Sequence, residues 1–381
     1  AQLTSVDAQL AARADYEKDY RAFATMPYPD FNLTSVTVDF YPEQRLVNIQ
    51  SHNQITNHAN QAISSMLLTS KQPLQHLSIE TGRIAEQKST GLWHTFRIEL
   101  SQPMQPGASL SLDYSLQMRS QAFAVNRGIV DNGMYFHQGE FEPLLGYAAM
   151  LEIDNQYHRQ QYGLAEKPSD LLAPISHKRS FSATLSTASS QTALTSGELV
   201  RRWQQQGRSY YQYVMRQNIY PVVGFFSAEF HTHQFQADGI PVTLYYHPQH
   251  QHNVAEIAKA TTFTMQYMQQ HFGDYAYPSL KLIEVPQYHA FGGRASAGIV
   301  ALNETLFLQD YQDGAAINNV ARNTIHEVAH QWFGEKLTPK IARGEKVLTE
   351  SMAKAIEATV LGQMYGEAMQ ERLMAYNLRR Y

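Results

Sequence analysis

The sequence predicts an α+β chain in which an antiparallel, sandwich-like β region is followed by a helical region. Two changes of hydrophobic period carry that reading. From about residue 25 apolar and polar residues alternate in short runs, broken by Gly, Pro, Asn and Ser clusters at sandwich-like intervals. After Gly239 the apolar period becomes 3.6. With 381 residues, 43% of them hydrophobic, the chain can bury more than one core without covalent staples.

Residues 1–24 are rich in Ala, Asp, Glu, Lys and Arg and lack Gly and Pro, which predicts a leader helix with only a weak apolar stripe. Residues 25–238 then read as one β-rich domain. Its first hairpin is divided at Pro42 and Glu43, and further strands lie in "LQHLSIE", "LWHTFRIEL", "ASLSLDYSLQM", "KRSFSATLST", "RSYYQYVMRQ" and "SAEFHTHQF". Residues 239–381 form the second domain. Strand "PVTLYYH" leads into a helix stopped by Gly273, strands "SLKLIEVPQ" and "AGIVALNE" follow, and three helices cover "INNVARNTIHEVAHQWFG", "GEKVLTESMAKAIEATVLGQMYG" and "EAMQERLMAYNLRR". The chain ends inside the last pattern, so this domain is expected to be incomplete at its C-terminus.

Composition narrows the function. Thirty Lys and Arg against 34 Asp and Glu give a net charge of −4, which supplies no field for nucleic acid or anionic lipid. No cysteine is present, so disulfides, thiolate nucleophiles and cysteine zinc sites are excluded and metal chemistry falls to His, Asp and Glu. No apolar run reaches the roughly 18 residues needed to span a bilayer, and the first residues carry neither a signal-peptide core nor an initiator Met. The sequence reads as a soluble piece of something longer.

One motif carries chemistry. "IHEVAH" puts His326 and His330 four residues apart, on one face of a helix and one turn from each other, which suits two nitrogen ligands of one zinc ion. Glu327, about 100° around the helix from the first ligand, is placed to take a proton from water as a general base. A catalytic zinc takes three protein ligands and leaves a position open, and Glu350 in "LTES" is the candidate third. Ile325, Val328, Ala329 and Trp332 around the pair suit a buried helix better than a solvated one.

Weaker signals read as structure. His247, His250 and His252 in "HPQHQH" are expected in a solvated turn, and His231 and His233 on a polar strand face. "FGG" at 291–293 lacks what a phosphate loop needs. Gly292 and Gly293 are instead expected to let a substrate backbone approach.

On these residues the chain resembles the M1 family of zinc metallopeptidases, the aminopeptidase-like gluzincins. "HEVAHQWFG" is similar to its zinc helix, "FGDYAYPSLKLIEVPQ" to its preceding strand, and residues 25–238 to its saddle-shaped N-terminal domain. The resemblance implies a thermolysin-like catalytic domain, one Zn2+ on His326, His330 and Glu350, Glu327 as base, and a peptide substrate. Within the family the chain resembles domains fused to bacterial ABC-type permeases: nineteen residues separate His330 from Glu350, "LTESMA" is similar to that branch's "LSESLA", and its "YYHP.H..NV" segment recurs at Tyr245 to Val254. That implies an extracytoplasmic domain of a bacterial membrane protein, tethered through parts outside this chain.

Two departures follow. The family's G-x-M-E-N strand aligns with "GGRAS", so Ala295 stands where a Glu grips the substrate's amine, and the alternative is that another carboxylate, for instance Glu140 or Glu142, reaches the cleft and restores that grip. The family's oxyanion Tyr falls beyond Tyr381, and Tyr365 and Tyr376 come too early to replace it, so the chain alone is expected to turn over peptides poorly. The rival reading is a non-catalytic, zinc-containing peptide-binding or structural module of a transporter.

Overall fold

The computed structural model describes residues 5–120, 128–130, 132–167, 177–220, 222–287, 292–310, 317–338 and 346–379. The chain has mixed α and β content, with multi-strand sheets in its N-terminal part and helices dominating its C-terminal part. It divides into two compact units. One comprises Ala1–Asn126, His137–Leu185 and Met215–Pro221, the other Arg127–Phe136, Ser186–Val214 and Val222–Tyr381.

The first unit opens with the expected helix, Val6–Tyr20, capped by Ser5, whose Oγ accepts from the Ala8 amide at 3.2 Å. Its stripe is narrow but aromatic. Tyr16 and Tyr20 are buried with Leu67, Trp93 and Tyr147, and Tyr16 stacks on Tyr147 with ring centroids 5.4 Å apart. Glu17 meets Arg159 in a buried two-pronged pair at 2.5 and 3.0 Å. Strand Asp30–Tyr41 turns through Pro42–Gln44 into Leu46–Thr56, the hairpin the turn residues predict, with Arg45 in the left-handed region. Strands Ser180–Ala188, Asp30–Tyr41, Leu46–Thr56, Ser109–Arg119 and Leu74–Ile79 lie side by side in that order. A four-stranded sheet runs Leu144–Leu145, Ile63–Ser70, His94–Met104, Gly82–Ser89.

In the second unit five strands form a mixed sheet in the order His231–Ala237, Ile240–Tyr246, Leu280–Val285, Ile299–Asn303, Gly293–Ser296. The middle three are parallel and both edges antiparallel. Leu280, Leu282, Ile283 and Val285, and all of Ile299–Asn303, are buried, as strands covered on both faces require. Strand Gly293–Ser296 is an element of its own: Gly298, at φ 71°, reverses the chain before Ile299. Helix Val254–Phe272 buries Ile257, Ala260, Thr261, Thr264, Met265 and Met268 at helical spacing and ends at Gly273. Helices Asn319–Ala329, Met352–Tyr365 and Glu367–Leu378 follow. Residues 339–345, where the predicted third helical pattern begins, lie outside the described residues. No helix among the described residues is long and apolar enough to cross a membrane.

Candidate metal centre

Helix Asn319–Ala329 positions the site. Asn318 caps it by accepting from the Ala321 amide at 3.0 Å, and its own Nδ2 donates to Glu256 at 2.9 Å. Ile325, Val328, Ala329 and Trp332 are all fully buried. His330 stands at the helix end with helical backbone angles, its amide donating to the His326 carbonyl at 3.3 Å, so the four-residue spacing keeps both imidazoles on one face. A π-helical turn, Val347–Ser351, carries Glu350.

The side chains converge. His326 Nε2 and His330 Nε2 are 3.2 Å apart, and Glu350 reaches them at 3.4 and 3.7 Å with its two oxygens. This is the one group of three metal-ligating side chains that meets among the described residues. Two nitrogens each about 2.0–2.1 Å from a tetrahedral ion lie roughly 3.3 Å apart, so the histidine separation fits the edge of a zinc site. Outer partners orient both rings. His330 Nδ1–H donates to the Phe333 carbonyl at 2.9 Å, leaving Nε2 as the lone-pair nitrogen. Nδ1 of His326 faces the fully buried Glu357 at 3.2 Å, an ion-pair distance without aligned hydrogen-bond geometry.

Electrostatics agree with a cation at this spot. Burial alone would lower His326, yet the neighbouring Glu350 and Glu357 carboxylates push it up to about 9, so the two create a field that holds positive charge between the rings. Burial lowers His330. Burial pushes the Glu327 carboxyl up to about 7 and Glu350 adds to this, against His326, Lys354 and Arg294. A group in that range exchanges protons readily near neutral pH.

A cleft of 470 Å3 is lined by His326, Glu327, His330 and Glu350 together with Gly293, Arg294 and Ala295. Gly293 also has a role that sequence reading missed: a Cβ there would lie 2.7 Å from Glu327 Cδ and 2.9 Å from the Ala301 carbonyl, so the missing side chain makes room for the Glu327 carboxylate. Gly292 abuts Asn323, 3.1 Å from where its Cβ would be. Gln331, beside His330 and fully buried, was missed as well. Its Nε2 donates to the Ser296 and Ile299 carbonyls at 2.9 and 3.0 Å, and its Oε1 accepts from the Gly298 amide at 3.1 Å and Tyr275 at 3.3 Å. One side chain thus fastens the turn after strand Gly293–Ser296 to the histidine helix.

Other candidates are engaged elsewhere. Tyr365 donates a short hydrogen bond to Glu256 and a second links it to Asn318, while Arg322 lies over the half-exposed Tyr376. Both oxygens of Glu142 accept from buried Arg179 at 2.7 Å, and Glu140 accepts from the His137 amide at 3.0 Å. His231 and His233 are exposed on their strand, as expected. The turn expected at "HPQHQH" forms, closed by the His250 amide donating to the His247 carbonyl at 2.8 Å, and His252 is exposed, but His247 and His250 are half-buried and His250 pairs with Glu284. The carboxylate that anchors them lies 34 residues away in sequence, outside any local pattern.

Comparison with known proteins covers the region that holds this group. Residues 256–381 match the Peptidase family M1 domain. The C-terminal region is M1 aminopeptidase-like. Bovine glutamyl aminopeptidase is 33% identical over 118 residues, 29% of this chain and 12% of that protein. Aminopeptidase 2 of Candida albicans is 34% identical over 103 residues, 26% of this chain and 11% of that protein. Human endoplasmic reticulum aminopeptidase 2 is 26% identical over 198 residues, half of this chain and 20% of that protein. The chain therefore spans only about a ninth to a fifth of the length of these relatives.

Proposed function

We propose that the chain carries the core of a zinc-dependent peptidase, with a catalytic domain over residues 239–381 behind a β-rich region over 25–238. The observation that supports this most is the meeting of His326, His330 and Glu350 beside a Glu327 that is more than nine-tenths buried. In this reading those three side chains hold one Zn2+, which when bound polarises the scissile carbonyl and activates water. Glu327 accepts the attacking water's proton on its carboxylate and returns it to the leaving amine. The edge strand Gly293–Ser296 aligns the substrate backbone by β-addition, with Gly292, Gly293 and Ala295 as its contact positions. Buried Ile325, Val328 and Ala329 keep the helix rigid under this chemistry.

Specificity is the second part of the proposal. Ala295, aligned with the family's amine-gripping Glu, offers no partner for an ammonium, and Arg294 lines the same cleft. Amino-blocked peptides are then cleaved at least as well as amino-free ones. The similarity of "LTESMA" and "YYHP" to permease-fused domains supports tethering, through parts of the parent protein outside these residues, on the extracytoplasmic side of a membrane. Matched peptides differing only in N-terminal acetylation, assayed on the parent protein with and without chelator, test both parts. Turnover that survives chelation removes the zinc reading. A loss above about tenfold in kcat/KM on acetylation removes the specificity reading.

A further inference from the structure

The second unit holds another cavity, of 320 Å3, built from residues that the cleft does not use. It opens where three parallel strands end: His247 follows Ile240–Tyr246, Val285 and Pro286 close Leu280–Val285, and Glu304 follows Ile299–Asn303. The carboxyl ends of parallel strands are where open sheets with helical crossovers place their ligands. Its apolar wall is aromatic. Tyr135 and Phe226 stack with centroids 4.8 Å apart and planes within 14°, and Phe230 lines it as well.

The polar part of the lining is negative. Glu229, Glu284 and Glu304 border the cavity, and among the described residues no Lys or Arg does. Glu284 acts as the anchor: it accepts from the His247 backbone amide at 2.6 Å and pairs with His250 Nδ1 at 2.5 Å, and the two imidazole centroids lie 4.5 Å apart. Burial and neighbouring His250 keep His247 below the usual imidazole range, so it adds no positive charge near neutral pH. One Glu304 oxygen accepts from the Gln287 amide at 2.9 Å, and Glu229 is exposed. A metal ion is disfavoured, because the Glu284 oxygens are already spent on N–H donors and, among the described residues, three ligand atoms do not converge here. A diffuse cation that lies against aromatic faces with carboxylates at its edge fits instead.

We propose that this cavity binds a small organic cation, an alkylammonium or guanidinium group on an apolar stem. Its volume equals about ten waters at ~30 Å3 each, the low end for small-molecule sites. The cation can arrive as a free amine or as the basic side chain of a peptide, and two probes separate these sources. Calorimetric titration of the 381-residue chain with butylguanidinium and with acetyl-arginine amide should give saturable binding by at least one, about tenfold or more tighter than neutral pentanamide. Tighter butylguanidinium binding identifies a free small molecule, and tighter capped-arginine binding a side chain. Glu304→Gln should weaken binding by about tenfold, and Glu229→Gln, at an exposed position that leaves the fold intact, by about threefold. No saturation below ~10 mM, equal binding of pentanamide, or wild-type binding by both variants overturns the proposal.

Discussion

The cleft around Glu327 and the cavity around Glu284 belong to one unit and use the same side chains, yet they are built in opposite ways. In the cleft two histidines lie one turn apart on a helix, backed by Phe333 and Glu357, so their Nε2 atoms face each other across 3.2 Å. In the cavity two histidines lie three apart in a loop, their rings tilt against each other at 40°, and the buried Glu284 carboxylate is filled by the His247 amide and the His250 ring N–H. Composition is therefore a poor guide to chemistry here. What differs is where the nitrogen lone pairs point and whether a carboxylate oxygen is left over for a ligand.

The strongest way to break that contrast is to delete one histidine from each place. His330→Ala should reduce zinc from about one equivalent to almost none, a loss of affinity of roughly a thousandfold or more, beyond the 10–100-fold typical of an outer partner. His250→Ala and Glu327→Gln should both keep the metal. Elemental analysis after dialysis decides it: zinc lost from His250→Ala would move the metal to the wrong site, and zinc lost from Glu327→Gln would make that residue a ligand.

Gly293→Ala should come next in size. Its Cβ would need the space that Glu327 Cδ and the Ala301 carbonyl occupy, so the base must swing away while the ligands stay. Turnover should fall by about 100-fold or more with zinc content unchanged. Unchanged turnover would mean that Glu327 acts from another rotamer. Glu357→Gln should be milder. Glu357 is held below the usual carboxylate range despite burial, by His326 and Lys354, and a neutral amide there should weaken zinc binding about 10–100-fold in competition with a chromogenic chelator. An unshifted competition curve would leave Glu357 no part in orienting His326.

These cases also mark what could be read from the chain. Spacing made His326, His330 and Glu327 legible, because a helix converts four residues into one turn, and buried Ile325, Val328 and Ala329 agree with the predicted packing. The hairpin at Pro42 was legible from its turn chemistry and alternation. Gly293, Gln331 and Glu284 were not legible in their structural roles, since each depends on a strand and a helix or loop brought together only by the sheet. Strand Gly293–Ser296 has four residues and no clear alternation of burial, so its identity as a separate element rests on pairing with Ile299–Asn303 rather than on its own pattern.

The smallest expected effect sharpens the cavity side of the comparison. Burial pushes the Glu284 carboxyl above its ordinary 4.5, although His250 and the His247 amide pull the other way. A carboxyl raised in the folded state binds its proton more tightly there than in the unfolded chain. Its contribution to stability is therefore complete below 4.5 and declines as pH rises through the folded value. Glutamine does not titrate, and the hydrogen bonds it makes less well cost Glu284→Gln an offset that does not vary with pH in this window. The gap in Tm between wild type and variant should accordingly narrow as pH rises from 4.5, by about 2–4 °C at most for a chain of this size. A gap that widens over this window would mean that the two histidines outweigh burial, making the carboxylate the preferred form and Glu284 an ion-pair partner more than a desolvated anchor.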